Sequence, residues 1–354
     1  MEKNGQKNSS SNNFTIKLIP TVLFTDFHRG SYKIIGDFFA KSLEPFCELK
    51  HIPTNLREEN SPFSASGFQI AIHNTLGEGF VPLQNCYNIA LPAHEWSQFP
   101  QKWIERLNQF EEVWTTTDHV KDLLQDCGLK VPCFKLPPAL GSEDIPSKSC
   151  WTIPDSPRFF AVGEPHFRKG HHLLMQGFTK AFPEIGQAHL TIKTSPSCTW
   201  ESPREDIRIV TENWSRRKLL SEYSKHDYYV SASLGEGLGL PIAEAIMAEI
   251  PICTNFWGGH KSLLTPGGFI EIGHEEIIQP FTSDPAFYAE GQKCAYSSPE
   301  SISTALKECI SISAEKRKEI VNIAKQFFIQ NYGYKVTLKS ISKRIEEIKL
   351  INSQ

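Results

Sequence analysis

Short β-rich apolar runs alternate along the chain with stretches whose apolar residues recur at helical spacing. TIKLIPTVLF (15–24), CELKHIP (47–53), FQIAIHN (68–74), CYNIALP (86–92) and EVWTTT (112–117) predict strands. Tyr32–Leu43, Gln101–Phe110 and Asp118–Asp126 predict helices between them, the last with Asp118 as its N-cap. Residues 136–157 hold five prolines among small polar residues, a linker composition. The pattern then restarts. RFFAVGE (158–164), AHLTIKT (188–194), DIRIVTE (206–212), DYYVSAS (227–233) and PICTNF (251–256) predict strands. Lys169–Phe182, Ser215–Lys225 (capped by Ser215) and Leu240–Glu249 predict helices, and two long helical patterns follow at Ser298–Ser313 and from Ala314 to about Leu350, the second broken near Gly333. Strand–helix alternation on this scale argues for two α/β halves, each a parallel sheet covered on both faces. Ligands of such halves collect at the carboxyl ends of the strands, in the cleft between domains.

Composition narrows the class. The 354 residues suit two domains, and 40% hydrophobic with 22% charged residues is ordinary for a soluble protein. Net charge is −3, with 14 basic against 17 acidic side chains in residues 1–150 and 23 of each in 151–354. With no basic domain or stripe, a nucleic-acid partner is not expected. No polybasic segment marks a lipid surface, although a peripheral membrane contact stays open. Nine scattered cysteines, with no Cys-x-x-Cys pair, predict reduced thiols and a cytoplasmic protein. The polar start MEKNGQKNSSSNN lacks the apolar stretch of a signal peptide and reads as a disordered tail over 1–13. The Asn-x-Ser/Thr triplets at Asn8, Asn13 and Asn213 are read as chance.

The segment LGEGLGLPIAEAIMAEIPI carries the sharpest chemistry. Gly235, Gly237 and Gly239 make a loop between a strand and a helix, and Pro241 suits the first helical turn. Backbone N–H groups at such a turn approach an anion at the positive end of the helix. Glu236 and Glu244 would accept hydrogen bonds from hydroxyls instead. Amides for phosphate and carboxylates for hydroxyls describe a nucleotide-sugar site; an ordinary turn with exposed glutamates fits the same local residues.

Glu236, seven residues, Glu244, then AIMAEIPI and FWGG resemble the donor-binding signature of the retaining family 4 glycosyltransferases, the "glycosyl transferases group 1". FFAVGEPHFRKGHHLLMQGF and DIRIVTENWSRRKLLSEYSKHDYYVSASLGEG extend the resemblance over about residues 158–260; the first half resembles the family mainly in architecture. The resemblance implies the GT-B fold: an α/β protein of two Rossmann-like domains facing a cleft, with a C-terminal helical tail. The expected division is a tail at 1–13, an acceptor domain at 14–145, a linker at 146–157, a nucleotide-sugar domain at 158–330, and a helix at 331–354 packing back on the first domain.

The resemblance also implies roles. Glu236 contacts the donor sugar and Glu244 the ribose, while the amides of Gly237, Leu238 and Gly239 face sugar and diphosphate. Arg168 and Lys169, predicted at a helix start where cations are unfavourable, neutralise the diphosphate and support the leaving group. Many family members carry an Arg at the place of Glu164, so Arg168 would substitute for that charge. In TDFHRGS (25–31), Gly30 and Ser31 would touch the donor phosphates, with Arg29 a further candidate. In LPAHEWSQFPQKW (91–103), His94 would hydrogen-bond the sugar, and Glu95 or Trp96 would shape the acceptor site, although a lone His is more often structural. His260, Lys261 and Ser262 are weaker nucleotide candidates, and His171–His172 are read as packing and surface residues.

No Asp-x-Asp, metal-ligand spacing, Gly-x-Ser-x-Gly elbow or Rossmann Gly-x-Gly-x-x-Gly is present. The resemblance implies sugar transfer from a nucleoside-diphosphate donor to a glycan or small-molecule hydroxyl, and the missing motifs add the expectation that it is metal-independent and cofactor-free. With no nucleophilic carboxylate to name, a front-face mechanism is implied. The alternatives are an inactive sugar-nucleotide-binding scaffold and an epimerase or phosphorylase of the same fold.

Overall fold

The computed structural model describes residues 19–25, 30–54, 68–280 and 289–352. The 1–13 tail, the start of the 15–24 strand and Arg29 lie outside them. In the first half, β1 (Ile19–Thr25), β2 (Cys47–Pro53), β3 (Ile70–Asn74), β4 (Tyr87–Ala90), β5 (Glu112–Thr115) and β6 (Cys133–Lys135) form one parallel sheet in the order β2-β1-β3-β4-β5-β6. Helices α1 (Gly30–Leu43), α2 (Gln101–Leu107) and α3 (Asp118–Asp126) cross over between strands. In the second half, β7 (Arg158–Val162), β8 (His189–Lys193), β9 (Ile207–Val210), β10 (Tyr228–Ser231), β11 (Ile252–Thr254) and β12 (Ile270–Glu271) form a second parallel sheet, ordered β12-β11-β10-β7-β8-β9. Around it lie α4 (His171–Ala181), α5 (Arg216–Tyr223), α6 (Leu240–Met247), α7 (His260–Leu263), α8 (Pro299–Ser311) and α9 (Ala314–Tyr332). A small antiparallel pair, β13 (Glu275–Ile278) and β14 (Lys293–Tyr296), stands apart. Among the described residues, no helix is long and apolar enough to cross a membrane.

The continuous apolar strands explain the layering, because a parallel sheet covered on both faces must be apolar on both. One face of the first sheet packs Leu23, Ile72 and Ile89 with Phe39 and Trp114, and the other packs Ala90 and Val113 with Trp103 and Leu124. The second sheet divides likewise, Phe159, Leu190 and Val230 on one side and Phe160, Tyr229 and Ile252 on the other.

Several expectations need correction. Thr117, not Asp118, caps α3, its hydroxyl accepting from Val120 N at 3.2 Å. Lys169 is not in α4: Phe167–Lys169 form a separate 3-10 turn, and Gly170 at φ 63° breaks it from the helix. Strands β6 and β12–β14 and helix α7 escaped the reading, being two to four residues long and therefore without measurable period. Ser215 and the break at Gly333 are found as read.

The chain crosses between halves twice. Residues 146–157 run without helix or strand along the second half, where Lys148 Nζ donates to Asp227 Oδ1 at 3.0 Å and Arg317 donates to the Trp151 carbonyl. After Gly333 the chain returns as α10 (Tyr334–Ile351), whose Ile341, Ile345 and Ile348 complete the core of the first half. The crossings lie side by side: a Cβ on Gly141 would stand 3.9 Å from the Gly333 Cα.

An ion pair fastens α10. Glu112, wholly buried on β5, accepts from Arg344 Nε at 3.1 and 3.2 Å, and also from Tyr87 Oη at 2.9 Å and Trp114 Nε1 at 2.5 Å. Removing one partner of a buried pair leaves an uncompensated charge, at about 3–5 kcal/mol. Arg344→Met is expected to lower the unfolding free energy by about that amount, measured by denaturant titration. Adding Glu112→Gln is expected to recover most of the loss.

Candidate functional site

Strand order reverses beside β1 in the first sheet and beside β7 in the second, since β2 and β3 flank β1 while β10 and β8 flank β7. Loops leaving the carboxyl ends of strands at such points diverge and open a crevice. The two crevices face each other and enclose a cavity of about 110 Å³. Ser31 and Tyr32 at the start of α1, Asn74 at the end of β3, Pro92 after β4 and Thr116 after β5 line its first-half wall. Arg168, Lys169 and the 236–241 turn supply the opposite wall.

Glu236 is the electrostatic centre. Its Oε1 accepts from Lys169 Nζ at 2.6 Å and Ser233 Oγ at 2.8 Å, and its Oε2 stands 3.1 Å from Arg168 Nη1. Burial pushes this carboxyl up, but Lys169 and Arg168 outweigh it and hold the group well below the usual carboxylate range. The expected helix start for the two cations is corrected, and Glu236 takes part of the charge expected to await an external anion. Both cations sit in the 3-10 turn before Gly170, and each pairs with Glu236 of the same chain. Arg168 further donates to the Gly235 carbonyl at 2.7 Å and lies 3.4 Å from Glu95.

The turn is built so that its carbonyls are held back. Gly235 O accepts from Arg168, Glu236 O from Gly259 N at 2.6 Å, and Gly237 O from Thr117 Oγ1 at 2.9 Å. Among the described residues, the backbone N–H groups of Gly237, Leu238 and Gly239 donate to nothing, and all three residues line the cavity. They lead into α6 through Gly239 at φ 91°, with Pro241 in the first turn. Unbonded amides at a helix N-terminus form an anion cradle. His260 packs below, 3.1 Å from where a Gly239 Cβ would be, and burial lowers its pKa to about 4, leaving it neutral near pH 7.

The remaining candidates divide. Ser31 lines the cavity, whereas Gly30 heads α1 with open space where its Cβ would be. His94 does not line the cavity: its ring stacks on Phe99 at 4.6 Å and packs against Trp103, and it meets the turn through its carbonyl, 2.7 Å from where a Gly237 Cβ would lie. Trp96, expected at the acceptor site, is buried in the core of the second half instead. Glu95 does line the cavity. Glu244 lies outside the lining, with Oε1 taking Arg216 and Oε2 taking Tyr223 Oη at 2.5 Å; Arg216 also bonds Glu143. Glu164 is exposed and takes no part. Lys261 and Ser262 line a second, more open space of about 450 Å³ beside α3 and Trp257.

Tyr32, Asn74, Thr116 and Thr117 were missed. Their signal was positional: Asn74 ends β3, Thr116 and Thr117 follow β5, and Tyr32 lies in the first turn of the helix after β1, all at the strand ends where ligand-contacting loops begin. Among the described residues, no group of three or more His, Cys, Asp or Glu side chains is arranged to hold a metal.

No family model matches the chain. The serotype-specific mannosyltransferase WbdA of Escherichia coli is 27% identical over 124 residues, which is 32% of this chain and 15% of that protein. Among solved structures, Anabaena HepE in complex with UDP and glucose superimposes with a TM-score of 0.66 at 11% identity, covering 93% of this chain and 100% of that one. S. aureus TarM, in a complex containing UDP, gives 0.59 at 11%, covering 78% of this chain and 55% of that one. A glycosyltransferase from Rickettsia africae gives 0.62 at 13%, covering 93% and 98%. The architecture is therefore GT-B: two parallel-sheet α/β domains facing a cleft, with helices closing the chain.

A Cβ at Gly170 would lie 2.0 Å from the Ala232 carbonyl oxygen, in a left-handed conformation. Gly170→Ala is expected to cost more than the ~1–2 kcal/mol of left-handed strain alone, read by thermal unfolding. Glu236 has a lower pKa folded than unfolded, so its contribution is present above the ordinary glutamate range and lost as pH falls. The stability advantage of wild type over Glu236→Gln is expected to grow as pH rises through about 4.3 and to level off above it, measured by unfolding at a series of pH values.

Proposed function

We propose that the chain is a retaining glycosyltransferase that moves a sugar from a nucleoside-diphosphate donor to a hydroxyl of a glycan or small molecule. The observation that carries this reading is the row of unbonded amides at 237–239 beside the partly buried Glu236–Lys169–Arg168 group, at the meeting of two switch points. The complexes of HepE with UDP and glucose and of TarM with UDP, on the same fold, support a nucleotide-sugar ligand.

In this reading the diphosphate lies over the 237–239 amides. Lys169 and Arg168 share their charge between Glu236 and the phosphates, and Glu236 accepts hydroxyls of the donor sugar. Ser31 reaches the phosphates from the first half. Glu244 accepts ribose hydroxyls on lone pairs left by Arg216 and Tyr223. The bond from the anomeric carbon to the phosphate oxygen breaks, the bond to the acceptor oxygen forms on the same face, and the acceptor proton passes to the departing phosphate. Amides and cations stabilise the charge developing there, with no metal and no enzyme nucleophile. We place the protein in the cytoplasm, consistent with nine cysteines present as thiols.

A thermal-shift screen of UDP-, GDP- and ADP-sugars selects the donor, and proton NMR of the product reads its anomeric configuration, expected to be retained. Glu236→Ala and Lys169→Ala are each expected to lower transfer at least ~100-fold; undiminished transfer by either variant, or an inverted product, overturns the reading. Tight binding without turnover in wild type indicates a scaffold instead.

A further inference from the structure

Thr117 belongs to the first half, yet its hydroxyl is committed to the donor turn of the second. It accepts from Val120 N at 3.2 Å, capping α3, and donates to the Gly237 carbonyl at 2.9 Å, across 120 residues of sequence. The side chain is wholly buried, so a carbonyl left without this donor would stay without one. Thr117 is not part of the cavity wall, whereas Gly237, Leu238 and Gly239 are.

The consequence follows from peptide geometry. A trans peptide holds its C=O and the next N–H in one plane on opposite sides, and the described chain has no cis bond. Drawing the Gly237 carbonyl toward Thr117 therefore turns the Leu238 N–H away from α3, on the side where residues 237–239 line the cavity. The preceding peptide is set the same way within the second half, Gly259 N holding the Glu236 carbonyl and turning the Gly237 N–H outward. Thr117 thus supplies from the opposite half what Gly259 supplies from the same half. Close approach makes the pairing possible: the His94 carbonyl would stand 2.7 Å from a Gly237 Cβ, and the Glu95 carbonyl 2.3 Å from a Gly235 Cβ. Other side chains at these positions would hold the halves apart.

We propose that Thr117 is a positioning residue for the anion cradle, and that its hydrogen bond orients the Leu238 amide toward the outer phosphate of the donor only when the two halves are in contact. This rests on the nucleotide-sugar reading above and adds a specific dependence of diphosphate grip on a first-half hydroxyl.

Three variants test it. Thr117→Ser keeps both hydrogen bonds, Thr117→Val loses both, and Thr117→Gly loses both but is well tolerated as a helix N-cap. Calorimetry compares UDP, GDP and ADP with the matching monophosphates, which lack the outer phosphate. Thr117→Val is expected to bind the preferred diphosphate about tenfold more weakly, from the burial of an unpaired carbonyl, with monophosphate affinity within twofold of wild type. Thr117→Ser is expected to match wild type for both ligands. Should the Val chain not fold, Thr117→Gly, which a helix N-cap accepts, is read in its place. Equal weakening of both ligands shows a merely structural role and overturns the proposal, as does unchanged diphosphate affinity in the Val or Gly variant. A wild-type chain that binds none of the three diphosphates overturns the nucleotide-sugar reading and this one with it.

Discussion

A carboxylate taken out of water must be met by opposite charge or it protonates, and in this protein that requirement falls on Glu236. The residue sits at the carboxyl end of β10, beside the turn that opens α6. Its partners come from the turn after β7, the neighbouring strand. Meeting the charge therefore fixes two loops at once, and Gly170, lying where only a glycine fits against Ala232, lets the second loop come close enough. Once Glu236 is tied down, the peptide planes that follow it are no longer free, and three amides are left facing a cavity. The anion cradle is a by-product of satisfying a buried anion.

The same economy explains why the halves meet where they do. Both sheets reverse strand order at their first strand, so both offer diverging loops at one end. Glycines at 235, 237 and 259 remove side chains where the 94–96 segment and the 256–259 loop press in. Trp96 then crosses the boundary altogether and becomes part of the second core. A contact of this kind is specific in register, because an indole in a fitted pocket resists sliding.

The sequence disclosed the architecture well because the strands are continuous apolar runs, α5 opens on its Ser215 cap, and α8 and α9 carry long helical patterns. It disclosed the Glu236 turn because glycine spacing, Pro241 and the residues after them form a local pattern. What stayed hidden depended on distance in sequence. Nothing near His94 shows that its ring faces Phe99 rather than the cleft. Nothing near Glu244 points to Arg216, and nothing near Thr117 points to a carbonyl 120 residues later. Helix polarity does not bear on Arg168 and Lys169, because one left-handed glycine separates their turn from α4.

The return of α10 to the first half has a consequence for the order of events during synthesis. Domains generally fold as units as they leave the ribosome, N-terminal first. Here the first half leaves early but lacks three of its core isoleucines and the guanidinium that answers Glu112 until residues 334–351 have been made. Through the whole of the second half's synthesis, the first sheet waits with a carboxylate that it cannot yet bury in paired form. The first sheet therefore reaches its final packing only after the whole of the second half and residues 334–351 have been made.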